Sequence, residues 1–549
     1  ASISRSMEAK CLRSIDLDRK SLMQFTISKF FLFLIAAVCL TGCGGGSSSS
    51  PSAISPIQQE AEKTDFELGT FQPFEQFSQL CESPREGEDA RGNPFQDSQG
   101  SPTDENNWLR SWSHELYLWY DEIADVDPES LPTAEYFEQM KTFEKTESGT
   151  PKDKFHFSIP TEEWVALSQG GVEAGYGAEF KIISGSPPRR VVVAYTEPNS
   201  PATSDPVNLI RGAEILEIDG VDVENSNDID TLNNGLFPQL GETHSFLIRI
   251  NSESSPRSIT MTAQEITSTP VQNLSFLQTD NGLVGYFTFN NHIAPAEELL
   301  IEAIKEIRDQ NIADLVIDLR YNGGGFLAIA NELSSMIAGD NAVGQIFEEL
   351  EFNSKHPEFN PVTGERISPK RFLSVTQGFS VQEGTPLPRL GLERVFIISG
   401  SGTCSASESI INGLRGIDVE VILVGNTTCG KPYGFYAFDN CGTTYFSIQF
   451  KGKNNKGFGD YSDGFSPNNR PSEAGVPIKG CLVPDDFSHA LGDPDEARLK
   501  AVLDYRQSQT CPETADQASA SIMPEFLTNE PSELSRKKRL LWRQNRIIQ

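Results

Sequence analysis

The chain is 549 residues long, 37% of them hydrophobic, with 44 glycines and 33 prolines. That composition allows a sizeable core in roughly three folded units, at about 100–200 residues each, and excludes collagen-like or wholly low-complexity chains. Its 45 Lys and Arg face 77 Asp and Glu, for a net charge of −32, and such a surface repels phosphate and argues against a nucleic-acid partner.

Near the start, Phe30 to Leu40 form an apolar run of eleven residues preceded by Lys29. This is too short to cross a bilayer, which takes about 20 residues, but it suits the core of a signal peptide. The run ends in Leu40-Thr41-Gly42-Cys43, followed by glycines and serines. This resembles the lipobox of bacterial lipoproteins. The resemblance implies that Cys43 is lipidated and becomes the first mature residue, with Met23 as the natural start and residues 1–22 as upstream sequence. It places the protein in the bacterial cell envelope, anchored to a membrane through its N-terminal lipid and facing the periplasm, with Gly44 compatible with transport to an outer membrane.

Residues 44–103 are rich in Gly, Ser, Pro, Gln and Glu and read as a flexible linker. From Asn107, the residues Trp108, Trp112, Leu116, Trp119 and Tyr120 recur at helical spacing, and a second helix is expected around Ala134–Lys141, giving a helical domain over 104–168. Residues 170–268 are β-rich, with runs such as Arg190–Tyr195 and Glu214–Ile218 between turn residues. The order Gly177-Ala178-Glu179-Phe180, then Pro198–Ala202, then Arg211–Leu216 resembles a PDZ domain, with Ala213 where many such domains carry Asp. The resemblance implies that Gly177, Ala178, Glu179 and Phe180 form the loop whose N–H groups hold a peptide carboxylate, the peptide adding as a strand beside it.

Residues 272–512 alternate strand and helix, as expected of a layered α/β core. Buried-strand runs lie at Leu315–Leu319, Val395–Ser399 and Val419–Val424, with an amphipathic helix opened by Pro295 and an aperiodic insertion at about 340–390. The fold class is therefore multidomain α+β: an N-terminal helical domain, a β-rich domain and an α/β core. Residues 513–549 are polar and then basic (Arg536-Lys537-Lys538-Arg539) and read as a disordered tail.

Nine cysteines are present, and six of them (Cys81, Cys404, Cys429, Cys441, Cys481 and Cys511) follow Cys43. An even number in an oxidising envelope favours disulfides. Cys429–Cys441 and Cys481–Cys511 are the expected bridges, with Cys404–Cys429 a competitor. The absence of a C-x-x-C motif or a close His pair leaves little support for a structural zinc site, and no metal or other cofactor is expected.

Three segments carry residues suited to chemistry. Asp318-Leu319-Arg320-Tyr321-Asn322-Gly323-Gly324-Gly325 is a strand that empties into glycines, whose N–H groups can converge on an anion; alone it could be a tight turn. Gly402-Thr403-Cys404-Ser405-Ala406-Ser407-Glu408 sets Ser405 at a strand-to-helix turn, where alone it could be a helix cap. Thr427-Thr428-Cys429-Gly430-Lys431-Pro432 follows a buried strand, where Lys431 could be desolvated into a base or could be a surface lysine.

Together, with Lys431 lying 26 residues past Ser405, these segments resemble the carboxyl-terminal processing (tail-specific) serine proteases over residues 104–512. The resemblance implies a Ser/Lys dyad, with Ser405 as nucleophile, Lys431 as general base, and the N–H groups of Gly324 and Ala406 as oxyanion hole. It also implies polypeptide substrates with unstructured C-termini. Gly323 stands where the family has proline, and Phe435 where relatives often carry Gln or Glu. The rival chemistries are a histidine base, for which His292 after a core strand is the candidate, and Cys404 as nucleophile. The alternative function is a catalytically inactive peptide-binding lipoprotein. Nothing in the sequence specifies an oligomeric state.

Overall fold

The computed structural model describes residues 66–512, except 90, 91, 147, 251, 252 and 470–473, together with the strand at 546–548. The signal segment, Cys43, the linker up to residue 65 and residues 513–545 of the expected tail lie outside the described residues. Among the described residues, no helix is long and apolar enough to cross a membrane. The fold is mixed α+β.

The helical part begins with α1 (Pro102–Leu116). Ser101 caps it: the Asp104 N–H donates to the Ser101 side chain and the Ser101 N–H donates back to Asp104, with Pro102 in the first turn. Trp108, Leu109, Trp112 and Leu116 are buried, joined by Tyr136 and Phe137 of α2 (Thr133–Gln139). Trp119 does not continue the stripe. Tyr117 leaves the helix in extended conformation and the Leu118 N–H donates to Ile448 O, so Trp119 instead meets Tyr433 edge-on at 4.8 Å. This part is no separate domain, because Trp108 and Trp112 pack on Tyr445 and Phe438 from the far end of the chain.

The expected linker is shorter than its composition suggested. Residues 66–103 fold onto the core through a Cys81–Cys441 disulfide and through Arg85, which pairs with both Asp97 and Asp439. This also corrects the cysteine expectation. Cys441 bonds Cys81, 360 positions away, and Cys429 bonds Cys404; Cys481–Cys511 forms as expected.

After β1 (Phe157–Pro160) and α3 (Thr161–Gly170), the β-rich segment forms its own sheet and its own core, built on Val191, Val193, Ile215, Leu232 and Phe246. Its strands are β2 (Ala178–Ser184), β3 (Arg190–Thr196), β4 (Glu214–Ile218), β5 (Thr243–Arg249) and β6 (Arg257–Thr262), in the order β6-β5-β4-β3-β2. The short strand Val221–Asp222 pairs with β4, α4 (Ile229–Leu236) packs on the sheet, and β2 is left as an edge.

The core contains β7 (Val271–Thr279), β8 (Gly282–Phe289), α5 (Ala296–Asp309), β9 (Asp314–Asp318), β10 (Gly325–Phe326) and α6 (Leu327–Ala338). Then come β11 (Ile346–Phe352), β12 (Lys370–Arg371), β13 (Arg394–Ser399), α7 (Ala406–Gly416) and β14 (Glu420–Gly425). The last elements are β15 (Tyr433–Tyr436), β16 (Thr443–Phe446), β17 (Phe450–Lys453), β18 (Gly480–Leu482), α8 (Ala497–Ser508) and β19 (Arg546–Ile548).

One six-stranded sheet runs β7-β8-β9-β13-β14-β18, parallel from β8 onward. Side chains alternate across it: Phe287, Ile317, Ile397 and Leu423 face α5, α6 and α7, while Val316, Phe396, Ile398 and Val424 face α8. Both faces are covered, which is why these strands read as continuous apolar runs. A second sheet runs β10-β19-β15-β17-β11-β12. The insertion therefore contributes β11 and β12, and residues Arg546–Ile548 of the expected tail form a strand inside this sheet, with backbone partners on both sides.

Candidate functional site

The parallel sheet delivers the three sequence segments to one end, since β9, β13 and β14 all finish there. Ser405 begins α7 with φ +61° and ψ −112°, a backbone conformation L residues rarely adopt, which costs on the order of 1–3 kcal/mol. It is fully buried, and its Oγ has no hydrogen-bond partner among the described residues. Ala406 is the first helical residue, so its N–H lies among those that no carbonyl of the helix can satisfy.

Glu408, fully buried, joins the serine turn to the lysine turn. It accepts from the N–H of Ser405 (2.9 Å), Gly430 (2.9 Å) and Lys431 (2.8 Å), and from the Thr428 hydroxyl (2.5 Å). Burial pushes its pKa up, and these hydrogen bonds oppose that shift. The Cys404–Cys429 disulfide ties the same two turns covalently. With both sulfurs in that bond, the cluster of Cys404, Glu408 and Cys429, whose ligand atoms lie within 4.8 Å of one another, offers no thiolate to a metal. Gly430 sits at φ +82°, and a Cβ there would lie 2.1 Å from Ser462 O, so only glycine permits this approach.

Lys431 is fully buried. Its Nζ lies 4.3 Å from the Phe435 ring centroid and 4.7 Å from that of Phe155. Burial drives its pKa well below the ordinary lysine value, while Asp153 and Glu408 pull the other way. Phe435, which in sequence is a departure from a polar residue, thus forms part of an aromatic wall around the amine.

In the glycine turn, the Gly324 N–H donates to Asn322 Oδ1 at 2.9 Å, and the same oxygen meets His292 Nδ1 at 3.0 Å. The Asn322 carbonyl accepts from the Cys404 N–H and the Ser407 hydroxyl, so this turn is bound directly to the serine turn. His292 is buried with its pKa pushed down to about 3 by desolvation, so its ring is neutral at physiological pH.

Ser405, Ala406, Lys431 and Gly324 are thus gathered by one hydrogen-bonded cluster. Residues Gly177–Phe180 lie elsewhere, at the start of edge strand β2. The β-rich segment still reaches the glycine turn, because Arg211 donates to the Tyr321 hydroxyl at 2.6 Å and Tyr195 stacks on Tyr321. Three residues here had no role in the sequence reading: Glu408, Asn322 and Phe155. Only Glu408 carried a signal, the Ser-x-x-Glu spacing of a capping box.

Residues 282–435 match Peptidase family S41. The chain is 24% identical over 298 residues to the chloroplastic C-terminal processing peptidase of Tetradesmus obliquus, covering 51% of this chain and 56% of that protein. It is 28% identical over 140 residues to a carboxyl-terminal-processing protease of Picosynechococcus, covering 25% of this chain and 33% of that protein. The matches therefore span about half and a third of these relatives' own length. A Bacteroides fragilis protein described as an S41 protease shares the fold, with a TM-score of 0.55 at 20% identity, over 73% of this chain and 97% of that one.

Proposed function

We propose that this chain, which carries a peptidase family S41 domain and is homologous to C-terminal processing proteases, is a lipid-anchored serine endopeptidase of the bacterial envelope that cleaves unstructured or C-terminal tails of proteins. The observation that carries the reading is the fully buried Lys431 amine against two aromatic rings, on a turn that shares one carboxylate with Ser405. A solvated lysine, with a pKa near 10.4, is protonated at neutral pH and cannot accept a proton. Desolvation supplies the neutral amine that the chemistry needs.

Lys431 takes the proton of Ser405 Oγ as that oxygen attacks the peptide carbonyl. The N–H groups of Ala406 and Gly324 hold the oxyanion, the second after leaving Asn322. Lys431 then gives its proton to the leaving amine, and water hydrolyses the acyl-enzyme. Substrate C-termini are recruited by the PDZ-like sheet: Gly177 and the first residues of β2, Ala178–Phe180, hold the carboxylate, and the peptide adds beside β2, the edge strand. Cys43 carries the lipid that keeps the protein at the membrane.

A serine-directed phosphonate probe with peptide mapping tests the activity. Labelling of Ser405 that is lost in Lys431→Ala supports the dyad, whereas no labelling under any condition supports a peptide-binding protein without catalysis. Peptides with a free C-terminus should bind more tightly than their amidated forms; equal affinity removes the carboxylate role of Gly177–Phe180. A Cys43→Ala variant that still incorporates lipid refutes the anchor.

A further inference from the structure

The second sheet contains a slot one strand wide. β10, which starts at Gly325 immediately after Gly324, and β15, which starts two residues after Lys431, do not pair with each other. With neighbouring strands about 4.8 Å apart, they stand roughly 10 Å from each other. β19 fills that space, parallel to both: Gly325 pairs with Arg546, Phe326 and Phe435 with Ile547, and Tyr436 with Ile548. On its other side β10 is held by His292, whose carbonyl accepts the Phe326 N–H at 2.8 Å; a Cβ on Gly325 would lie 2.3 Å from that oxygen. The slot therefore has a fixed wall at the glycine turn and a second wall continuous with the lysine turn. An extended polypeptide laid in it runs beside both.

We propose that this slot is a seat for extended polypeptide and that in the resting protein segment 546–548 of the same chain occupies it as an autoinhibitory plug. The consequence for catalysis rests on the Ser405/Lys431 reading; the occupancy does not. Three observations support the segment as occupant. It pairs on both sides, which an edge-binding peptide cannot do. Residues 531–549 hold six basic residues against one acidic residue, on a chain of net charge −32, so the segment is drawn to the body of the protein. The chain between Pro512 and Arg546 is long enough to leave the slot and return. A tethered segment competes at an effective concentration of about millimolar, so a substrate at micromolar levels must bind roughly a thousandfold better or wait for the plug to open.

The test compares the full chain with Ile547→Pro, which places a residue without an N–H in the middle of a strand paired on both sides. Amide hydrogen exchange at Gly325 and Phe435, which pair with β19 while the Phe326 and Tyr436 N–H groups are held by His292 and Gln449, reads occupancy without reference to catalysis. The phosphonate probe reads access to Ser405. The variant should lose protection at those amides by at least tenfold and label at least tenfold faster, and a synthetic peptide of residues 540–549 should reverse both changes. Ile548→Pro, opposite Tyr436 alone, should give a smaller change in the same direction. Equal protection in the full chain and both variants overturns the plug, even if Ser405 labels. Lower protection in the variants with no labelling of any protein leaves the plug standing and removes the peptidase reading.

Discussion

Two buried cations lie in the same core and behave in opposite ways. Arg320 follows β9, and its guanidinium is enclosed by Asp318 (2.8 Å), Asp485 (2.7 Å) and Glu496 (2.7 Å). Burial opposes its charge, but those carboxylates outweigh burial and hold its pKa well above the ordinary value. Arg211 and Arg498 crowd the same Asp485, whose pKa is held far below the carboxylate range although burial pushes it up. Lys431 is equally buried, with Phe155 and Phe435 against its amine, and there burial outweighs the opposing pull of Asp153 and Glu408. The difference lies in whether the carboxylates or burial has the larger effect on the charge. Carboxylates turn a buried cation into a structural tie, here joining β9, the β-rich segment and the chain before α8. Where burial outweighs them, the amine can lose its proton, and a neutral buried amine is a base.

The largest expected effect comes from breaking the lysine side. Lys431→Arg should lower turnover of an unfolded polypeptide by at least about 10²–10⁴-fold, because a guanidinium stays protonated. His292→Ala should retain turnover, since a ring with its pKa pushed down to about 3 is a weak base and its Nδ1 is already bonded to Asn322; the reverse pattern in steady-state rates would move the base to His292.

On the arginine side, Arg320→Met should leave Asp318, Asp485 and Glu496 buried and short of a partner, at a cost of about 3–5 kcal/mol in urea unfolding. A loss under 1 kcal/mol would mean the network contributes little to stability.

Phe435→Glu would add a carboxylate to Asp153 and Glu408, which already act on Lys431. A carboxylate beside the amine should raise the lysine pKa, so the pH at which activity switches on should move up by about 1–3 units. An unchanged pH–rate profile would disconnect the ring from the base.

Glu332 extends the comparison to an acid. Burial first, and Glu297 beside it, push its carboxyl up to about 9 from 4.5. The folded protein then keeps a proton that the unfolded chain releases above about pH 4.5, so this residue's contribution to stability falls as pH rises from about 5 to 9. The slope is at most about 1.4 kcal/mol per pH unit. Glu332→Gln should flatten that decline in denaturation midpoints measured across the range; an unaltered slope would show that Glu332 is ionised in the fold.

Much of this was legible from sequence because it is local. The apolar runs of β9, β13 and β14 and the turn glycines depend on neighbours within a few residues, so the strands of the α/β core and the turns that carry Ser405, Lys431 and Gly324 could be read directly, while roles for those residues came only from the resemblance to a family. Pairings between distant residues were not. Nothing near Cys81 points to Cys441, and composition alone made residues 66–103 a linker, although a disulfide and Arg85 fold them onto the core. Phe435, only four residues from Lys431, read as a missing polar group because chain spacing does not say that its ring packs 4.3 Å from the Lys431 amine. Segment 546–548 read as tail because a strand paired on both sides takes its stability from neighbours more than a hundred residues away. The sequence by itself determined which groups this protein has for chemistry. Tertiary structure alone decided which of its buried charges are neutralised, because desolvation and charge pairing depend on what fills the few ångströms around an atom and not on what adjoins it along the chain.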